Sequence, residues 1–396
     1  MDIKVHRGIN QIGGNIIEIH SGTTRILFDV GLDLDPENNL SLPKIEGLFD
    51  SKEFDAIFIS HYHSDHLGLV YGVNQDIPIY IGEKGYGIVQ ASNRYLQKAD
   101  FNVTGYLKHK VAIQIGDIKV TPYLCDHSAY DSYMLFAETA TENVLYTGDF
   151  RANGRKPSDW LFNELPKKVD VLICEGTTLS RKGYVAQTEK SLENEVLTLI
   201  KSHSGPVFVL QSSMNIDRIV TMYRAAIQSD RLFLVDTYLA EITSSIRNGI
   251  PNPLDFERVR VFLLHRLDGK SIRYALYNRY GRNKIGKETI AKSNFVMCIR
   301  TSMLEYIESL CNKMSFENGL LIYSFWTGYL NKPEVQYFVD RCKQMGLELV
   351  ILHVSGHADE NTLVRLIDKV NPTRIIPVHT ENADWFSNRY PEKIVA

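Results

Sequence analysis

The stretch "SHYHSDHLG", Ser60–Gly68, decides how the rest of this chain is read. His61, His63, Asp65 and His66 fall within six positions, in a chain of 396 residues with only 12 histidines. The preceding "AIFI" is apolar and rich in strand formers, so Ser60 is expected to end a buried strand. In extended chain His61 and His63 project to the same side. The chain is then expected to turn, with "LGLVYGVN" starting a helix and Asp65 and His66 at the turn. Imidazole nitrogens and a carboxylate oxygen are donors that borderline divalent cations accept. The carboxyl ends of strands are where open α/β folds place their sites. A lone H-x-H is more often a hydrogen-bonding polar loop, whereas H-x-H-x-D-H after an apolar strand favours a metal.

Around this motif the N-terminal part alternates short apolar runs with Gly, Asp and Asn. "NIIEI", "RILFDV", "PIYIG", "YMLFAE", "NVLYTG" and "DVLICE" read as strands, several buried on both faces. After about Ser180 the texture changes. Leu192, Val196, Leu199 and Ile200 mark one face of a helix. The strands "PVFVLQ", "RLFLVD", "NFVMCI" and "GLLIYS" then alternate with helical segments, as in a parallel α/β domain. The expected organisation is an N-terminal α/β domain over residues 1–185, an α/β insertion over 186–345, and a return to the first domain over 346–396.

Composition fits a globular protein: 44% hydrophobic and 23% charged residues, with a net charge of -3. No apolar run reaches the roughly 18 residues of a membrane span. The start has no apolar core of a signal peptide. Five scattered cysteines form no C-x-x-C pair, which argues against a disulfide framework or thiolate zinc site. These features lead to the expectation of a cytoplasmic protein with reduced thiols and no membrane partner. A nucleic-acid partner would need a local basic surface, because the overall charge does not attract one.

Further motifs follow in order: "LFDVG" with Asp29, "CDHS" with Asp126 and His127, and "YTGDF" with Asp149. With H-x-H-x-D-H, this ordered set resembles the metallo-β-lactamase superfamily. The resemblance implies an αββα sandwich and two divalent cations, Zn²⁺ first and Mn²⁺ as the alternative. His61, His63 and His127 would hold one cation. Asp65, His66 and a late histidine would hold the other, with Asp149 bridging. Asp29 would support the metal loop without being a ligand, and Asp126 would orient a neighbour. Later, "LICEGT", "HVSGHAD" and "IIPVHTE" place Glu175, His357 and His379 after strands. These resemble the three motifs of the β-CASP nuclease branch, whose extra α/β domain lies between the first two. "GINQIGGN", "SGHA" and "PVHTE" are similar to the J-type ribonucleases. By this resemblance His379 completes the second metal site. Asp65, Glu175 and His357 form the catalytic set, with His357 at the scissile phosphate and Glu175 orienting it or the attacking water. His353 is read as structural.

The function so implied is hydrolysis of RNA phosphodiesters, exo- or endonucleolytic, by a two-metal-activated hydroxide, with single-stranded RNA as the partner. A nuclease for DNA, a small-molecule metallohydrolase and an inactive nucleic-acid scaffold remain as alternatives. Two departures from J-type chains stand out. Their "GSQGE"-like loop is replaced by "YSFWTGYL", Tyr323–Leu330. They also usually continue into a further C-terminal domain that aids dimerisation, so the resemblance leaves the oligomeric state open. For nucleic-acid contact, Lys270–Lys287 interleaves basic residues with tyrosines, including Arg273, Tyr277 and Arg279. Such patterns neutralise phosphates and stack bases, although a helix burying its tyrosines reads equally well. Arg181, Lys182, Ser212, Ser213, Arg300 and Ser355 are further candidate contacts, at strand ends or in adjoining loops.

Overall fold

The computed structural model describes residues 1–394 except 40, 182, 248 and 265–270. The chain forms two compact units. The first takes Met1–Tyr86, Ala99–Ala186 and the chain from Gly356 onward; the second takes Gly87–Lys98 and Gln187–Ser355.

The first unit contains two six-stranded sheets. One consists of β1 (Asp2–Arg7), β2 (Ile16–Ser21), β3 (Thr24–Phe28), β4 (Ala56–Phe58), β5 (Ile79–Gly82) and β6 (Gly105–Leu107), in sequential order. The other begins with β7 (Ile113–Ile115), β8 (Ile118–Cys125), β9 (Ser132–Glu138), β10 (Asn143–Tyr146) and β11 (Val171–Cys174). Strands alternate their side chains between faces, and the two sheets use that alternation to share a core. Ile17, Ile19, Ile26 and Phe28 from one sheet meet Val120, Leu135, Tyr146 and Ile173 from the other. The rings of Phe28 and Tyr146 stack with centroids 5.8 Å apart. The outer face of the second sheet, including Met134, Phe136, Leu145 and Leu172, packs on residues of helices Ser158–Glu164, Glu360–Val370 and Asp384–Arg389.

The second unit holds one all-parallel sheet: β12 (Val207–Leu210), β13 (Leu232–Asp236), β14 (Val259–Phe262), β15 (Phe295–Ile299), β16 (Gly319–Tyr323) and β17 (Leu347–Ile351). Its order is β14-β13-β15-β12-β16-β17. The chain then returns to the first unit, where β18 (Arg374–Pro377) pairs in parallel with β11. The fold class is the one expected: an αββα sandwich with an inserted α/β unit.

Helix starts are capped as the chemistry requires. Thr188 accepts from Ser191 N in a capping box, Asn215 accepts from Arg218 N and Asp236 accepts from Leu239 N. Leu192, Val196 and Ile200 are buried along helix Glu189–Ser202, while Leu199 is half-buried.

Three details differ from the sequence reading. "LELVI", placed in the returning segment, is β17, and it pairs with β16. The second unit therefore runs to Ser355 and also takes Gly87–Lys98, the latter part of helix Glu83–Leu96. The helix expected from Leu67 is instead the single turn Ser64–Leu67, with Asp65 and His66 inside it. "LGLVYGVN" continues mainly as turns.

One buried ion pair ties the second unit together. Arg218 Nη2 lies 3.1 Å from Glu189 Oε1, and both side chains are fully buried. Arg218 also donates to the carbonyls of Ser324 and Val354, while Thr221 donates to Glu189 Oε2 at 2.8 Å. Helices Glu189–Ser202 and Ile216–Gln228 are thus joined to the chain after β16 and β17. Glu189→Leu strands a buried guanidinium and is expected to destabilise this unit by about 3–5 kcal/mol in denaturant unfolding. A loss under about 1 kcal/mol contradicts this role.

Candidate metal centre

Five strands of the first unit deliver the candidate residues at their carboxyl ends. His61 follows β4, His127 follows β8, Asp149 follows β10, Glu175 follows β11 and His379 follows β18. Asp65 and His66 come from the one-turn helix Ser64–Leu67. That turn is held by the neighbouring loop: Val30 N donates to His66 O, Leu32 N to Ser64 O and Asn15 N to Asp65 O. The packing needs glycine at residue 31, where a Cβ would lie 1.8 Å from the Asp65 carbonyl oxygen.

Two candidate ligand groups result. His61, His63 and His127 bring ring nitrogens together, with His63 Nδ1 3.2 Å from His61 Nε2 and 3.1 Å from His127 Nε2. Asp65, His66, Asp149 and His379 form the other. His66 Nε2 is 3.2 Å from Asp149 Oδ2, and His379 Nε2 is 3.2 Å from Asp65 Oδ2 and 3.7 Å from Asp149 Oδ1. Asp149 Oδ2 also lies 3.8 Å from His61 Nε2 and 3.9 Å from His127 Nε2, so this carboxylate faces both groups. Asp149 Oδ1 is buried and has no hydrogen-bond partner among the described residues.

The surrounding hydrogen bonds fit a metal-ligating set. Asp29 accepts from His66 Nδ1 at 2.7 Å, and Gly356 O accepts from His127 Nδ1 at 2.6 Å. Thr177 Oγ1 donates to Glu175 Oε2 and accepts from His379 Nδ1, each at 2.8 Å. In each histidine the Nδ1 proton is thereby engaged, which leaves the Nε2 lone pair facing the cluster. The donor types and their convergence suit a divalent cation in each group.

Electrostatics favour the same use. Burial pushes His61 and His127 well below the ordinary imidazole value, and His63 down to about 4. Burial alone would raise the Asp149 carboxyl, but His379, His66 and His357 hold it well below the usual range. Asp65 is likewise lowered against burial, by His379 and His66. His66 shows the converse: burial opposes its charge, yet Asp149 and Asp29 raise it.

His357 lies beside these groups. Its Nδ1 is 3.0 Å from Glu175 Oε2 and 3.7 Å from Asp149 Oδ2. Burial lowers its proton affinity, but Glu175 and Asp149 raise it further, so the net direction is upward. Asp149, Glu175, His357 and His379 form a third convergent group. His379 sits in the left-handed region at φ 51°, uncommon for a residue with a side chain, and the strain marks a fixed position. Asp126 turns away to an ion pair with Arg151 at 3.5 Å.

Tyr146, Ser60 and Thr177 belong to this site although the motifs that contain them gave them no role. Tyr146 donates to Asp29 Oδ2 at 2.8 Å, as does Ser60 Oγ. The only local hint at Thr177 was its place in "EGTT", two residues after Glu175.

The candidate nucleic-acid contacts are scattered. Arg181 is half-buried, 5.7 Å from the Tyr184 ring centroid, and Lys182 lies outside the described residues. Ser355 is buried, and so offers no surface hydroxyl. His353 is in the second unit, with Nδ1 3.5 Å from Ser324 O. The interleaved basic segment has much of its chemistry engaged. Arg279 is 3.0 Å from Glu241, Tyr280 is buried with its hydroxyl on the same carboxylate, and Arg273 packs over Tyr95. Lys284 lies 5.2 Å from the Tyr277 ring centroid. Of the three tyrosines Tyr280 is buried, while Tyr274 and Tyr277 are half-buried on the helix Ile272–Asn278. Ser212, Ser213 and Arg300 instead border a cavity of the second unit.

Residues 24–212 match the beta-lactamase superfamily domain, and residues 348–392 match the Zn-dependent metallo-hydrolase RNA specificity domain. The chain thus carries a match to a beta-lactamase superfamily domain followed by a match to an RNA specificity domain of the Zn-dependent metallo-hydrolases. It is similar to ribonuclease J of Mycoplasma pneumoniae, with 24% identity covering 94% of this chain and 67% of that protein. Ribonuclease J of Mycobacterium tuberculosis is 23% identical over 98% of this chain and 70% of its own length. The chain thus spans about two thirds of these relatives. In fold it resembles a crystal structure of a protein of unknown function from Enterococcus faecalis, with a TM-score of 0.81, 21% identity and coverage of 100% and 97% of the two chains.

Asp29→Asn keeps the shape but weakens the acceptor for His66. It is expected to lower metal affinity by about 10–100-fold in a chelator competition and also to lower the thermal unfolding midpoint, because the amide nitrogen cannot accept the hydrogen bonds that the carboxylate takes. Unaltered affinity would remove Asp29 from the account.

Proposed function

We propose that this protein is a two-metal ribonuclease that hydrolyses phosphodiester bonds of single-stranded RNA. The observation that carries the reading is the Asp149 carboxylate, which faces both histidine-rich groups and stands 3.7 Å from His357. His61, His63 and His127 would hold one cation and Asp65, His66 and His379 the other, with the Asp149 carboxylate available to both. Zn²⁺ suits this nitrogen-rich donor set best, with Mn²⁺ as the alternative. When bound, such a pair supplies Lewis acidity toward the phosphoryl oxygens and activates the attacking water.

The chain's own residues supply orientation and protons. Asp65 Oδ2 and His379 Nε2, 3.2 Å apart, converge as donors to the same cation position, and Thr177 fixes the His379 ring through Nδ1. Glu175 accepts from Phe150 N and from Thr177, and it holds His357 by Nδ1. With Nδ1 so engaged, His357 Nε2 is the atom that carries a proton to the departing oxygen, or a positive charge to the phosphate. The RNA-specificity match at residues 348–392 and the ribonuclease J relatives support RNA as the substrate. Both exo- and endonucleolytic cleavage are compatible with this machinery.

The test compares labelled single-stranded RNA and DNA of one sequence, in linear and circular forms and with different 5′ ends, in Zn²⁺ or Mn²⁺. RNA cleavage is the expected result; cleavage of DNA alone, or of neither, contradicts the proposal. His66→Ala is expected to lose metal and cleavage together. His357→Ala is expected to keep its metal and lose about 10²–10⁴-fold in turnover. Wild-type turnover in His357→Ala removes its assigned role.

A further inference from the structure

The second unit contains a cavity of about 410 Å³ at the carboxyl ends of β12, β15 and β16. That is the range of sites for small organic groups. Its wall is aromatic: Tyr238, Tyr323, Phe325 and Tyr329 all line it. Its polar groups are few. Arg300 is held by Asp236, with Nη2 2.7 Å from Oδ2 and Nη1 3.3 Å from Oδ1, and lies 4.9 Å from the Tyr238 ring centroid. Gln211 also lines the cavity; it is only 2% exposed, and its carboxamide oxygen has no hydrogen-bond partner among the described residues. Ser212 and Ser213 add hydroxyls at the end of β12.

Charge decides what this cavity suits. The Arg300 guanidinium is neutralised by the buried Asp236, whereas Lys332 lies 4.7 Å from the Tyr329 ring centroid and Glu334 also lines the cavity. A phosphate needs a surplus of positive charge, and here the two cations, Arg300 and Lys332, are balanced in number by Asp236 and Glu334. A flat neutral heterocycle needs aromatic faces and a few hydrogen-bonding groups, and the lining supplies both. Gln211 offers a carboxamide acceptor for an N–H edge, and a guanidinium fixed by a carboxylate offers directed donors.

We propose that this cavity takes the heterocyclic base of a nucleotide, through the Phe325 and Tyr329 rings with Gln211 and Arg300 at the polar edge. The choice of a nucleobase among flat heterocycles rests on the ribonuclease reading. The base comes either from a free nucleoside or from a residue of an RNA chain.

The test uses the full chain and reads binding, not cleavage. Equilibrium dialysis is run with the four ribonucleosides and their 5′-monophosphates. A short oligoribonucleotide and its abasic counterpart are measured with metal removed. The expected result is base-dependent binding weakened at least about tenfold by Phe325→Leu and by Tyr329→Leu, variants that keep apolar volume but remove a ring. Inorganic phosphate should not compete. Nucleoside binding alone identifies a free ligand; base-dependent binding by the oligomer alone identifies an RNA residue. Either supports the proposal. No base-dependent binding, insensitivity to both variants, or equal displacement by inorganic phosphate overturns it. Because binding is measured without turnover, its failure would leave the cleavage assay to judge the ribonuclease reading separately.

Discussion

The buried carboxylate of Asp29 is the constraint on which the site depends. It is fully buried and adopts the left-handed conformation at φ 60°. Its two oxygens accept four hydrogen bonds: Ser60 N at 2.7 Å, Ser60 Oγ at 2.8 Å, His66 Nδ1 at 2.7 Å and Tyr146 OH at 2.8 Å. A buried charge is tolerable only when its lone pairs are so occupied. The same four bonds link the end of β3, the end of β4, the helical turn Ser64–Leu67 and β10 of the facing sheet. One residue therefore fixes the histidine loop to both sheets of the sandwich.

From that anchor the chemistry follows the strand ends. Parallel β10, β11 and β18 bring Asp149, Glu175 and His379 to one end of their sheet. β4 of the other sheet delivers His61 and His63 opposite them. Each histidine given a defined Nδ1 partner presents Nε2 to the cluster, and Asp149 lies where the two groups meet. Thr177 couples the halves of the arrangement, since one hydroxyl touches both Glu175 and His379. Such fixed orientation matters because proton transfer and charge stabilisation require the groups to be placed before reaction.

Much of this was legible in the sequence because its signals are local. H-x-H-x-D-H occupies six positions, and each later motif follows an apolar run that forms a strand. Asp29 was readable as a support through its place in "LFDVG". What escaped depends on contacts distant along the chain. β17 has the look of any apolar strand, and only its pairing with β16 assigns it to the second unit. Thr177 gains its meaning from a histidine 202 positions later. The tyrosines near Lys270 showed a basic, aromatic rhythm, but the Glu241 carboxylate that engages Arg279 and Tyr280 lies 38 and 39 residues before them. The helix expected from Leu67 lies earlier, because Asp65 and His66 themselves form its single turn, which the bonds from Val30 N, Leu32 N and Asn15 N to His66 O, Ser64 O and Asp65 O hold in place.

The central claim is that Asp149 joins two cation sites into one centre. Anomalous diffraction at the Zn or Mn absorption edge, from crystals of the metal-loaded protein, tests it directly. The account predicts two peaks about 3.5–4 Å apart with the Asp149 carboxylate between them. A single peak, or two peaks with Asp149 bound to neither or only one, would contradict it.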